Sequence, residues 1–161
     1  MKKCTKSCVG WRLGMLFTTL LVGVACSGSA MAEKRVFTVL AVEPKGGANV
    51  AQEALPTAPL PDGGGYVMRQ PDQTGRWEVS AYVWQPAQIV VDEGDEVTLE
   101  FVGINGASHP TRIEGLAPSF TLQRGRAHRV SFVASKAGSF RIVCDTHHPS
   151  MTGEIVVLPK R

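Results

Sequence analysis

Cys144, His147, His148 and Met151 fall within one eight-residue stretch, Cys144-Asp145-Thr146-His147-His148-Pro149-Ser150-Met151. A thiol, two imidazoles and a thioether are soft or borderline donors, a set suited to copper. In the arrangement that serves one-electron transfer, two His and one Cys lie roughly trigonally about the ion, and a Met occupies a long axial bond. If His147 is the loop's imidazole donor, one His is missing from the set. His109, directly before Pro110, is the candidate for it. Within the loop, Cys-x2-His spacing favours His147, which leaves His148 as a solvated residue or an alternate ligand.

Such a loop needs rigid supports at both ends. The runs Ser139-Phe140-Arg141-Ile142-Val143 before it and Gly153-Glu154-Ile155-Val156-Val157 after it read as strands. Two strands would let the protein set the ligand geometry and keep the change between Cu(I) and Cu(II) small, and Pro149 stiffens the loop further. His109 reads as the end of an earlier strand, and His128 as a residue on a polar strand face. Taken singly, the same residues have plainer readings: Cys144 as a buried thiol and Met151 as a core filler, and His109 as a turn residue.

The rest of the chain is patterned for β-structure. Strands are predicted at residues 35–42, 66–69, 77–84, 88–91, 97–102, 111–114, 126–133, 139–143 and 154–158, with turns at Ala117-Pro118, Gln123-Arg124-Gly125 and Lys136-Ala137-Gly138. In residues 77–84, Trp77, Val79, Ala81 and Val83 alternate with Glu78, Ser80, Tyr82 and Trp84. Residues 43–65 carry Pro44, Pro56, Pro59, Pro61 and a Gly63-Gly64-Gly65 run, and read as a long loop without strands, in which residues 48–55 could form a short helical turn. An all-β, Greek-key sandwich or barrel of two packed sheets is the expected fold.

At the N-terminus, Lys2, Lys3, Lys6 and Arg12 precede an apolar stretch from Leu13 to Ala25, which gives way to small residues and Ala30-Met31-Ala32. This is the pattern of a secretory signal over residues 1–32, cleaved after Ala32; a lipoprotein anchored at Cys26 is a variant. The apolar stretch falls short of the roughly 20 residues that span a bilayer. Residues 33–161 would form one domain in a periplasmic or secreted protein, with no transmembrane segment left after signal removal. Cys4, Cys8 and Cys26 leave with the signal, so Cys144 remains the single thiol. A disulfide within the chain is then impossible, and a metal is what would protect a lone thiol in an oxidising compartment. Four of the 17 Lys and Arg also leave, giving 13 bases against 14 acids. The apparent basicity belongs to the targeting segment, and nothing argues for nucleic acid or an anionic membrane as partner.

With its loop and strands set out, the stretch from Val97 to Pro159 resembles the cupredoxin family, the small secreted blue-copper proteins related to plastocyanin, amicyanin and pseudoazurin. Cys144, His147 and Met151 match that family's C-x2-H-x(2 to 4)-M loop, and Asn105-Gly106-Ala107-Ser108-His109 matches its first-His segment. Trp84 to Val91, Gly94-Asp95 and Phe140 fit the same frame. The resemblance implies one copper ion held by His109, Cys144, His147 and Met151, with Asn105 helping to tie the two ligand loops together. It also implies an apolar surface around the loop His, where a cytochrome or a copper enzyme would dock as redox partner. The dinuclear copper domains on this frame need two cysteines four apart, and the residue four after Cys144 is His148. Nitrosocyanin, a red copper protein, is similar in frame but places a carboxylate near the position of His109 and a further His in the loop.

These readings predict an electron carrier that performs no bond chemistry, hence no enzyme. A copper carrier for homeostasis is the first rival, although only Met68 and Met151 remain after the signal, too few for a Met-rich hook. A catalytic red or type 2 copper site, with His148 replacing or joining Met151, is the second.

Overall fold

The computed structural model describes residues 32–60 and 62–160. The signal reading, the Cys26 variant and Pro61 therefore lie outside the described residues or reach beyond them. Twelve strands, and no helix among the described residues, make up three sheets.

The first main sheet contains β1 (Lys34–Val42), β5 (Val83–Gln85), β7 (Glu96–Gly103) and β10 (Ala127–Val133), in the order β10-β7-β1-β5. The second contains β6 (Gln88–Asp92), β8 (Ser108–Ile113), β9 (Ala117–Gln123), β11 (Gly138–Cys144) and β12 (Thr152–Leu158), in the order β6-β12-β11-β8-β9. β1 runs parallel to β7, with Lys34 opposite Glu96 and Ala41 opposite Gly103, and β12 runs parallel to β6. All other pairs are antiparallel.

Period-two burial explains the sandwich. In β7, Val97, Leu99 and Phe101 are buried; in β6, Ile89 and Val91; in β12, Ile155 and Val157. With Val39, Trp84, Ile113, Leu122 and Ile142 they form one core contributed by both main sheets. Each such side chain contributes about 1.5–3 kcal/mol on burial. Cys144 and Met151 belong to this same cluster, so the loop is rooted in the core.

Four sequence expectations need correction. Residues 43–65 are not free of strands: β2 (Lys45–Asn49) pairs with β4 (Arg76–Ala81), which also pairs with β3 (Tyr66–Arg69), giving a third sheet in the order β2-β4-β3. Gly46 and Gly47 retain their N–H groups, and pairing along a partner strand overrides their weak propensity. The predicted helical turn in this stretch is a single turn, with the amides of Gln52 and Glu53 donating to the Asn49 carbonyl.

The strand predicted over residues 77–84 breaks at Tyr82, where the chain leaves the third sheet and joins the first main sheet as β5. The break reverses which parity faces inward. Trp77 and Trp84 stand on opposite parities, yet both are buried.

Ala117-Pro118 begins β9 and is not a turn. β9 is an edge strand, bonded to β8 alone, and an edge tolerates a residue without an N–H. His109 does not end an earlier strand; it is the second residue of β8 and pairs with Leu122 of β9.

Candidate metal centre

Strand register brings the donors together. Cys144, the last residue of β11, lies opposite Thr111 of β8, two residues beyond His109 on the same face. His109, Thr111 and Ile113 are all buried, as period-two alternation along one face requires. The chain then turns through residues 145–150 and re-enters the sheet as β12. His147 is carried back over the strand ends within this turn.

The nitrogen and sulfur donors of His109, Cys144 and His147 lie within 4.8 Å of one another. Cys144 Sγ is 3.8 Å from His109 Nδ1 and 3.4 Å from His147 Nδ1. Such separations suit donors that share one metal ion at bonds of about 2.0–2.3 Å. The tautomer of His109 follows from its other nitrogen: Nε2 lies 2.7 Å from the Asn105 carbonyl, which can only accept. Nε2 therefore carries the hydrogen, and Nδ1 offers a lone pair toward the sulfur.

The electrostatics agree with a metal-binding role. Burial pushes the Cys144 thiol up, opposed by the N–H groups of His147 and Thr146 that bond to the sulfur, while Asp145 adds to the rise. Two amide donors aimed at one sulfur favour its thiolate, and a cation beside it would complete the compensation. Burial also holds the His147 imidazole below its usual range, helped by the nearby His109 and opposed by Glu43. Neutral imidazole is the form that ligates a metal. Chemistry, spacing and tautomer all fit one copper ion.

Backbone bonds fix the loop. Met151 N donates to the His147 carbonyl at 2.9 Å, and Ser150 Oγ donates to the same oxygen at 3.0 Å. Asp145 N donates to the Pro110 carbonyl at 2.9 Å, and Arg112 Nε donates to the Asp145 carboxylate at 2.7 Å. Both contacts join the loop to β8, the strand that carries His109. Met151 is wholly buried at the loop's closing end, whereas His148 is exposed and outside the donor cluster.

Asn105 acts differently from what the resemblance implied. Its Oδ1 accepts from the Glu43 amide at 3.1 Å and its own amide donates to the Ala41 carbonyl, so it ties the first-His segment to the end of β1. His128 lies exposed in β10, its ring stacked on Phe120 with centroids 4.2 Å apart.

The sequence model of the cupredoxin-like domain family matches residues 66–157. This chain belongs to the cupredoxin-like family. No curated protein matches it in sequence. Among solved structures it is similar to the multicopper oxidase mgLAC, with TM-score 0.51 and 16% identity over 81% of this chain and 40% of that one. A copper nitrite reductase from Nitrosomonas europaea gives 0.50 and 19% over 79% of this chain and 42% of that one. The copper-containing nitrite reductase of Thermus scotoductus gives 0.50 and 21% over 81% and 28%. The cupredoxin-like chain thus spans less than half the length of these proteins, and at such identities the likeness is one of fold.

Tyr82 is the site residue that sequence reasoning missed. Its ring stacks on His147 with centroids 4.0 Å apart and planes at 19°, and meets His109 edge-on at 5.9 Å. Only its place in an alternating run was visible in the sequence, and that pattern says nothing about a ring on the opposite side of a strand break.

Proposed function

We propose that this cupredoxin-like protein is a periplasmic or secreted electron carrier, in which Cys144, His109 and His147 would hold one copper ion and the Met151 thioether would serve as a further, weak ligand. The carrying observation is the convergence of one thiol and two imidazoles, with His109 and Cys144 wholly buried. Copper would supply a one-electron couple at this place. The chain supplies the rest. The Asn105 carbonyl fixes the His109 tautomer, the amides of Thr146 and His147 stabilise the thiolate, and the strand ends of β8, β11 and β12 hold the donors at fixed spacing in both redox states. A partner protein, a cytochrome or a copper enzyme, would exchange electrons near the partly exposed His147 and its exposed neighbour His148. Among the described residues no helix is long and apolar enough to cross a membrane.

The test is the visible spectrum of the protein produced from the full-length chain and loaded with Cu(II), beside that of Cys144→Ser. An intense band near ~600 nm that disappears with the thiol is expected for a Cys-His-His site. A dominant band at much shorter wavelength, or weak absorption only, would overturn the carrier reading and direct attention to His148 as a ligand.

A further inference from the structure

The stretch between β1 and β3 has no part in the ligand set, yet it lies directly against the loop. The Gly64 amide donates to the His148 carbonyl at 2.6 Å, and Gly64 forms an isolated parallel bridge with Pro149. Gly65, with φ at +85°, sits so close that a Cβ there would stand 1.9 Å from Ser150 Oγ and 2.5 Å from the His147 carbonyl oxygen. The Gly65 carbonyl in turn accepts from the Tyr82 amide at 2.9 Å. One segment therefore touches the ligand loop with one edge and holds Tyr82 with the other.

Tyr82 is also flanked on its other side, where its ring meets His109 edge-on with centroids 5.9 Å apart. The backbone bond to Gly65 and the contacts with both imidazoles leave the ring little freedom to leave the face of His147.

We propose that Tyr82 and the Gly63–Gly65 segment form a clamp that positions His147 before any metal arrives and slows metal loss afterwards. The proposal rests on the copper reading above. Both are positioning residues, acting on the metal through His147: the stack fixes the plane of the imidazole, and the glycine segment fixes the backbone that carries it. The Gly63–Gly65 end of the Pro- and Gly-rich stretch thereby acquires a task. It must be small and left-handed at Gly65 because it lies flat on another loop.

Four proteins produced from the full-length chain test the clamp: the parent, Tyr82→Phe, Tyr82→Leu and Gly65→Ala. In the metal-free state, the His147 ring protons should be shifted upfield by the stacked aromatic ring in the parent and in Tyr82→Phe. In Tyr82→Leu they should return to ordinary positions. After copper loading, transfer of Cu(I) to the chelator bicinchoninate should be about fivefold faster in Tyr82→Leu, the scale of one aromatic stack, and unchanged in Tyr82→Phe. Gly65→Ala should accelerate transfer, because an added Cβ presses on the His147 carbonyl and Ser150.

The clamp is overturned if Tyr82→Leu matches the parent in either ring shift or release, if Tyr82→Phe behaves like Tyr82→Leu, or if Gly65→Ala releases copper at the parent rate. A parent protein that shows no thiolate-to-copper band would sink the proposed function instead. The metal-free ring shifts would still decide for or against the clamp.

Discussion

The amide of Cys144 donates to the carbonyl of Met151 at 3.1 Å, closing the ligand loop at its base with a single backbone bond. The two residues that open and close the loop are thus held together by main chain, independent of any metal. Both are wholly buried in the core shared by the two main sheets.

Met151→Leu should therefore leave the loop intact. The swap nearly conserves volume and should cost less than about 1.5 kcal/mol in a denaturant melt. If Met151 is the axial ligand, loss of its thioether removes electron donation that favours Cu(II), so the reduction potential should rise while the thiolate band persists. An unchanged potential by protein voltammetry would show that Met151 is packing alone.

Gly106→Ala should disturb the site from the other side. Gly106 has φ at +73°, and a Cβ there would stand 2.8 Å from His109 Cε1 and 3.0 Å from Tyr82 Cε1. The left-handed backbone alone costs a non-glycine residue about 1–2 kcal/mol. The displaced imidazole should also change the copper hyperfine splitting in the EPR spectrum. A variant with parent stability and an identical spectrum would refute the close approach.

Asp95 predicts a defined loss of stability in acid. It is only 1% exposed, and Arg35 Nε donates to it at 2.6 Å, with the amides of Glu33 and Asp92 each at 3.0 Å. Burial pushes its carboxyl up, but the Asp92 and Glu33 amides and the Arg35 guanidinium outweigh that and hold it below the usual range. A carboxyl with a depressed folded value adds stability above the ordinary aspartate value of about 3.9 and loses it as pH falls through the folded value. Asp95→Ala should cost about 3 kcal/mol at neutral pH and flatten this acid limb. Parallel pH curves for parent and variant would count against the assignment.

Phe101→Ala probes the core. The ring is fully buried, edge-on to Trp84 at 5.4 Å and against Phe120 at 5.0 Å. Truncation should cost about 3–5 kcal/mol by thermal or denaturant unfolding. A loss below about 1 kcal/mol, the scale of a surface change, would mean that the two sheets do not meet there.

The β-class and most strand positions were legible because alternation reports which side chains a half-buried strand turns inward, as in Val97-Leu99-Phe101 and Ile155-Val157. The loop ligands were legible for a similar local reason. Cys144, His147 and Met151 are close in sequence, and their donor types suit copper before any fold is known. His109 could be named as the missing imidazole only by elimination and resemblance. The register of β8 against β11 is what places its Nδ1 3.8 Å from Cys144 Sγ.

Other features had no local signature. Gly46 and Gly47 read as breakers, because a single strand carries no record of the partner that pairs with it. Tyr82 and Trp84 read as one face of one strand, because the change of sheet between them depends on where distant strands lie. The contact of the Gly63–Gly65 segment with residues 146–150 joins parts of the chain more than eighty residues apart. Local sequence determines donor chemistry and the period of burial, since both are properties of neighbouring side chains. Which ring lies on His147, and which loop braces the site, depends on non-local packing and was decided by the tertiary structure alone.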